Sequence, residues 1–177
     1  MCSMLRFITL LFILTSSVSS SYALDKQGYR IGSGDLLSIN IFGEEDLSLD
    51  KVRVGTNGTV SFPLLGEIVV KKMTVAELES DLIRRFKDGY LKKPVVTVSV
   101  VEYRLFYVNG EVKKPGGYNF VNGLTVQKAV ALAGGFTERA SKSSIILERE
   151  FVDKKHKVGL NDEVNPGDII TVDESFF

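Results

Sequence analysis

Glycine punctuation between residues 108 and 136 constrains this chain more than any other feature. Val108-Asn109-Gly110-Glu111-Val112 alternates and then runs into Lys113-Lys114-Pro115-Gly116-Gly117-Tyr118. In that Pro-Gly-Gly turn, proline presets φ and the glycines tolerate φ > 0. The stretch 124–136 opens with a helix cap at Thr125 and closes on Gly134-Gly135, where a left-handed C-cap costs least. Together they predict a hairpin that feeds a short helix. Gly110, Gly116 and Gly135 are expected to be structural, with alanine costing stability wherever φ > 0 is required.

The first 23 residues differ in kind from the rest. Arg6 is their one charged residue, residues 7–14 form an apolar run, and Ser21-Tyr22-Ala23 places small residues at the −3 and −1 positions of a cleavage site. This is the pattern of a secretory signal peptide, with cleavage expected after Ala23. Its apolar run is too short for a hydrocarbon core of roughly 30 Å. Cys2 is the single cysteine and precedes that run, so it is not expected to become the acylated first residue of a lipoprotein. Without cysteine the mature chain has no disulfide framework and no thiolate site, and its fold must rest on a hydrophobic core. Removing Arg6 leaves 21 basic against 22 acidic residues. That balance lacks the basic stripe that nucleic-acid binding requires, and no nucleic-acid partner is expected.

From residue 29 onward, turn signals alternate with short apolar runs. Tyr29-Arg30-Ile31-Gly32-Ser33-Gly34-Asp35 leads into a strand with Leu37, Ile39 and Ile41 on one face. Asp35 is placed to accept from the amides of its own turn. A Gly-x-Gly before a strand, and not before a helix, fails the context required for dinucleotide binding. Val52 to Val54 and Thr59 to Phe62 flank Asn57-Gly58, a hairpin-turn dipeptide, and Pro63-Leu64-Leu65-Gly66 ends the second of these strands. Thr74-Val75-Ala76-Glu77 reads as a capping box, and apolar residues at helical spacing predict an amphipathic helix over 75–88. A valine-rich strand follows Pro94. In the second half, strands are expected over 144–149, 155–160 and 169–172. Asn165-Pro166-Gly167-Asp168 echoes Gly34-Asp35 as a shared turn-into-strand solution. The fold class predicted is α+β: a small domain of mixed strands with one amphipathic helix (24–102), then a β-grasp-like domain with a short C-terminal tail (103–177).

Catalytic chemistry finds little support. His156 is the sole histidine and lies in Lys154-Lys155-His156-Lys157, where an exposed strand or turn position outweighs a catalytic base. A zinc site would have to lean on carboxylates, and no residue pattern selects a glycosidase pair. Glu44-Glu45-Asp46 reads as a solvated turn. No cofactor, metal or catalytic residue is expected. Tyr103, Phe106, Tyr107, Tyr118, Phe120 and Phe136 are aromatics of the kind that pack on sugars, although alternation sends Tyr103, Leu105 and Tyr107 to one strand face and Phe106 and Val108 to the other. One of those faces must be core.

The two glycine-rich stretches resemble the signature of the SLBB (soluble-ligand-binding β-grasp) module of Wza-type outer-membrane polysaccharide export proteins. Tyr29-x-Ile31-Gly32-x-Gly34-Asp35, Asn57-Gly58, Pro63-Leu64-x-Gly66 and Thr74-x-x-Glu77-Leu78 resemble the polysaccharide biosynthesis/export domain of the same family. The resemblance makes Gly32, Gly34, Asp35, Asn57, Gly58, Pro63, Gly66, Gly110, Pro115, Gly116, Gly134, Gly135, Gly167 and Asp168 the family-motif positions. It implies a non-enzymatic component of a capsular or exopolysaccharide export machine, facing the periplasm and outer membrane. A homo-oligomeric ring there conducts the polysaccharide and works with an inner-membrane co-polymerase. This sequence shows neither the acylated cysteine nor the C-terminal membrane-crossing helix of long members, so a short form with a separate outer-membrane β-barrel partner is expected. The alternative is a monomeric periplasmic module that binds glycan or a small ligand.

Overall fold

The structure, a computed structural model, describes residues 28–175. The signal segment 1–23 with Cys2, and the terminal Phe176-Phe177 pair, lie outside the described residues. The first half contains β1 (Leu36–Ile41), β2 (Leu49–Arg53), β3 (Thr59–Phe62), β4 (Gly66–Val69), α1 (Val75–Lys87) and β5 (Val96–Glu102). Strands β2-β1-β5 form an antiparallel sheet, and β3-β4 form a separate hairpin. Leu37, Ile39 and Ile41 are buried on one face of β1, as their alternation predicts. The predicted capping box starts α1: Glu77 N–H donates to Thr74 Oγ1 at 3.2 Å, and Thr74 N–H donates to Glu77 Oε2 at 2.7 Å. Leu78, Leu82 and Phe86 recur at helical spacing and are fully buried in the first core, each contributing about 1.5–3 kcal/mol. From the same helix, Glu79 accepts the Val98 amide of β5 at 2.8 Å, giving an edge strand a side-chain partner that discourages pairing with another chain.

One strand pairing differs from the expected hairpin. The Asn57-Gly58 turn is present, with Gly58 N–H on Gly55 O at 2.8 Å, but the strands flanking it diverge. Strand β2 pairs with β1 through Leu36↔Arg53, whereas β3 pairs with β4 through Phe62↔Gly66. The tight Pro63-Leu64-Leu65 connection sets β4 beside β3, and β2 takes its ladder on the edge of β1.

The second half contains β6 (Phe106–Gly110), β7 (Gly116–Tyr118), α2 (Val126–Leu132), β8 (Ala140–Arg149), β9 (Val152–Val158) and β10 (Ile169–Glu174). They form a five-stranded sheet in the order β7-β6-β10-β8-β9, with β10 parallel to β6 and the other pairs antiparallel. Helix α2 packs Val126, Ala129 and Val130 on one face of that sheet. The chain is thus α+β, two cores in series joined at residues 103–105. Phe106 and Val108 belong to the second core at 0% exposure, so the core face of β6 is theirs and Tyr107, 44% exposed, faces outward. His156 is exposed on β9, opposite Leu147.

The Pro-Gly-Gly turn reading requires correction. Gly110 and Gly135 have φ of +79° and +88°, but Gly116 is not among the positive-φ residues and lies within β7, opposite Val108. The turn occupies residues 111–115 instead. Gly117 of β7 makes room: a Cβ there would sit 3.0 Å from the Tyr107 ring across the strand pair.

Candidate functional site at the domain junction

The two Gly-Asp turns that looked alike in sequence are alike in structure. Asp35 N–H donates to Gly32 O while Gly32 N–H donates back to Asp35 Oδ2 at 2.7 Å. Asp168 N–H donates to Asn165 O, and Asn165 N–H donates to Asp168 Oδ2 at 2.8 Å. Gly34 and Gly167, at φ of +96° and +86°, make each sharp entry into β1 or β10 possible. These are the two buried charged residues among the described residues, at 0% and 2% exposure.

Both turns converge on Arg104, in the connection between β5 and β6. Asp35 Oδ1 accepts the Arg104 amide at 2.8 Å, and Asp35 Oδ2 lies 3.3 Å from the guanidinium. Tyr29 donates its hydroxyl to Asp35 Oδ2 at 2.5 Å and accepts from Arg104 at the same distance. From the second domain, Glu150 Oε2 lies 2.8 Å from Arg104 Nε. Glu150 also pairs with Lys71 of the first domain at 3.1 Å. The guanidinium is held so closely that a Cβ at Gly32 or at Gly167 would come within 2.4 Å of it. Here the glycines matter for what they lack. Above this charged layer, Tyr29 meets Tyr103 edge-on at 4.8 Å and Tyr103 meets Phe120 at 5.3 Å, an aromatic series running from one domain into the other. Phe151, in the β8–β9 turn, faces the Arg104, Lys71 and Lys72 cations at 5.5, 5.9 and 5.7 Å, a cation–π arrangement.

The electrostatics follow from this burial. Tyr29 is pushed well above its ordinary range, first by burial and then by its hydrogen bond to the Asp35 carboxylate, so its hydroxyl stays protonated as a donor. Asp168 is pushed up to about 6 by burial, against the lowering effects of the Asn165 amide, Arg149 and Arg104. No metal-ligating group of histidine, cysteine and carboxylates occurs among the described residues.

Beside the junction lies a groove of about 970 Å³, lined by Tyr103, Phe120, Asn122, Arg149, Phe151 and Asn165 among others. Arg149 donates to Glu163 O at 3.2 Å and its Nε lies 3.7 Å from Asp168. The remaining motif positions gather elsewhere. Asn57, Gly58, Pro63 and Gly66 shape the turns around the β3–β4 hairpin. Gly110, Pro115 and Gly116 frame the connection that meets Gly134 and Gly135 at the end of α2, where Lys113 N–H donates to Gly135 O at 3.0 Å. The structure therefore brings five of the fourteen motif positions, Gly32, Gly34, Asp35, Gly167 and Asp168, to one place. Arg104 organises them and was missed in the sequence; its signal is a lone charge inside the run Tyr103-Arg104-Leu105-Phe106-Tyr107.

Comparison with known proteins gives a consistent pattern. The model for polysaccharide biosynthesis/export proteins matches residues 23–101, and that for the SLBB domain matches residues 105–158. The chain is 31% identical over 147 residues to the exopolysaccharide production protein ExoF of Rhizobium meliloti (strain 1021), covering 76% of this chain and 34% of that protein. It is 33% identical over 147 residues to the EPS I polysaccharide export outer membrane protein EpsA of Ralstonia nicotianae, covering 68% of this chain and 38% of that protein. It also matches EpsA of Ralstonia solanacearum at 31% over 143 residues. The chain spans about a third of the length of these curated relatives.

Proposed function

The chain belongs to the outer-membrane polysaccharide export family, joining an export domain to an SLBB domain, and we propose that it is a non-catalytic component of an exopolysaccharide export machine in the cell envelope. The observation that carries this reading is the pair of domains in family order, matched at 31–33% identity to relatives named for exopolysaccharide production and export. In this reading, copies assemble into a ring at the periplasmic face of the outer membrane and the polysaccharide passes through it. A heterologous interface that closes on itself makes such a conduit from identical subunits. Its proposed partners are the polysaccharide, further copies of itself, an inner-membrane co-polymerase and an outer-membrane β-barrel. No bond in the cargo is made or broken. The charged junction supports a mechanical role, because it fixes one domain against the other.

The test is deletion of the gene in the producing bacterium with complementation by the full-length chain. Secreted polysaccharide should fall on deletion and return on complementation; unchanged secretion would end the reading. The groove at the junction favours a second reading, a monomeric glycan-binding module. Light scattering across a concentration series of residues 24–177 separates the two, since a discrete oligomer supports the conduit and a persistent monomer supports the module.

A further inference from the structure

We propose that Asn122, in the connection from β7 to α2, is a self-modifying residue: in the folded chain it converts with water to aspartate and isoaspartate, releasing ammonia, through attack by the Gly123 main-chain nitrogen. Asparagine followed by glycine permits this reaction, because glycine has no Cβ to hold its nitrogen away from the asparagine side-chain carbonyl. The chain contains three such pairs, Asn57-Gly58, Asn109-Gly110 and Asn122-Gly123, and the structure separates them. Asn57 Oδ1 accepts from Thr59 N–H at 3.2 Å and from Thr59 Oγ1 at 2.8 Å, while Gly58 N–H donates to Gly55 O at 2.8 Å. The group to be attacked and the attacking nitrogen are both tied. Asn109 lies inside β6, between β7 and β10 and opposite Thr171. Its Gly110 is pressed against β10, where a Cβ would come within 2.1 Å of the Val172 oxygen, so the nitrogen cannot turn toward the side chain without parting the strands.

Asn122 has none of these restraints. Val121, Asn122 and Gly123 are all exposed, and among the described residues the Asn122 side chain makes no hydrogen bond and the Gly123 N–H has no acceptor. A Cβ on Gly123 would meet nothing within 4 Å, so there is open space around its nitrogen. One bond closes the turn, Leu124 N–H to Val121 O at 3.2 Å. The Lys128 ammonium, held on Gly123 O at 2.8 Å, sets a positive charge beside the nitrogen that must give up its proton. That nitrogen, its proton lost to water, bonds to Asn122 Cγ. The bond from Cγ to the side-chain nitrogen breaks, and ammonia leaves with the proton. Water then opens the cyclic imide at either carbonyl. One opening leaves aspartate; the other leaves a main chain that runs through the former side chain and is one carbon longer. Both place a carboxylate in the groove that Asn122 lines together with Arg149. The longer chain enters just ahead of Leu124, which is buried in the second core. Each folded copy thereby carries a record of its age, whatever the chain exports.

The experiment keeps residues 24–177 folded in mildly alkaline buffer, samples them over time, digests each sample with trypsin at mildly acidic pH and reads the peptides by chromatography coupled to mass spectrometry. The three pairs fall in separate peptides, 54–71, 105–113 and 114–128. Peptide 114–128 should gain one mass unit and split into aspartyl and isoaspartyl forms, with fragment spectra placing the change at Asn122. The other two should convert at least about tenfold more slowly, the rate cost of opening the bonds that hold them. In the urea-unfolded chain the three rates should converge, which would show that the fold sets the difference. Asn122→Gln should stop conversion in its peptide, and Asn119→Gln, at the other asparagine there, should leave it unchanged. Conversion at Asn57 or Asn109 as fast as at Asn122 in the folded chain, or an Asn122 that reacts only after unfolding, would overturn the proposal.

Discussion

Substituting alanine at three glycines of the second domain separates two costs that usually arrive together. Gly110 and Gly135 both have φ near +80 to +90°, so alanine at either forces a left-handed backbone and costs roughly 1 kcal/mol or a little more. At Gly135 a Cβ meets nothing within 4 Å, and the loss should stop there. At Gly110 it would lie 2.1 Å from the Val172 carbonyl oxygen and 3.0 Å from its carbon, which is backbone and cannot swing away. Strands β6 and β10 must separate locally, weakening the Glu111 N–H bond to Val172 O, now 2.9 Å, and its neighbour in the parallel ladder. With each such bond worth about 0.5–1.5 kcal/mol, the total for Gly110→Ala reaches about 3 kcal/mol. For a domain of this size that is a melting temperature lower by roughly 12 °C or more. Gly116 lacks positive φ and a Cβ there has open space, so Gly116→Ala should stay within about 0.5 kcal/mol of wild type. Urea unfolding of residues 24–177 followed by circular dichroism measures all three, with m-values checked for constancy. Equal losses at Gly110 and Gly135 would show that the Val172 contact does not exist.

Arg104→Ala should cost about 3 kcal/mol, because it strands the Asp35 carboxylate without its counter-ion while leaving the Gly32, Tyr29 and main-chain donors. Arg104→Lys should recover part of that; thermal melts and faster proteolysis near residues 102–106 would reveal the loosened joint, and a neutral Arg104→Ala would rule out the network. Asp168 favours its protonated form in the folded state, with its ordinary value of 3.8 raised to about 6. Its stabilising contribution is therefore complete below pH 3.8 and is lost as pH rises through about 6, an effect of about 3 kcal/mol. Asp168→Asn keeps an acceptor for the Asn165 amide, so its stability relative to wild type should rise between pH 4 and pH 7; a flat difference would contradict the raised value. Thr74→Ala removes one half of the capping box and should cost about 1 kcal/mol, read from denaturant unfolding, whereas an unchanged midpoint would mean the cap is not formed.

Much of the fold was legible because its signals are local. The capping box at Thr74 and Glu77, the alternation of Leu37, Ile39 and Ile41, and the Gly-Asp entries to β1 and β10 each need only a few neighbouring residues. Pairing was less legible. That β2 joins β1 and not β3 is a matter of pairing between segments distant in sequence, and no dipeptide encodes this. The pair Gly116-Gly117 was misread for a similar reason: both lie in β7, and Gly117 admits the Tyr107 ring from the adjacent strand, a contact that the Pro-Gly-Gly turn pattern conceals. The candidate site was half visible. Asp35 and Asp168 announce themselves by their turns, yet the Arg104 amide that Asp35 accepts comes from 69 positions away, and an arginine in an apolar run gives no hint of which carboxylates surround it.

The joint at Arg104 also bears on how such proteins can be recombined. Each domain has its own core, so exchanging the second domain for that of a relative should transfer a working fold. The angle between the halves would not travel with it, because the guanidinium draws on Tyr29 and Asp35 on one side, Glu150 on the other, and on the missing side chains of Gly32 and Gly167. A chimaera that keeps Arg104 but places alanine where Gly167 stands would both strain the turn into β10, where φ is +86°, and set a Cβ 2.4 Å from Arg104 Nε, so the joint would lose its setting even where each core is sound.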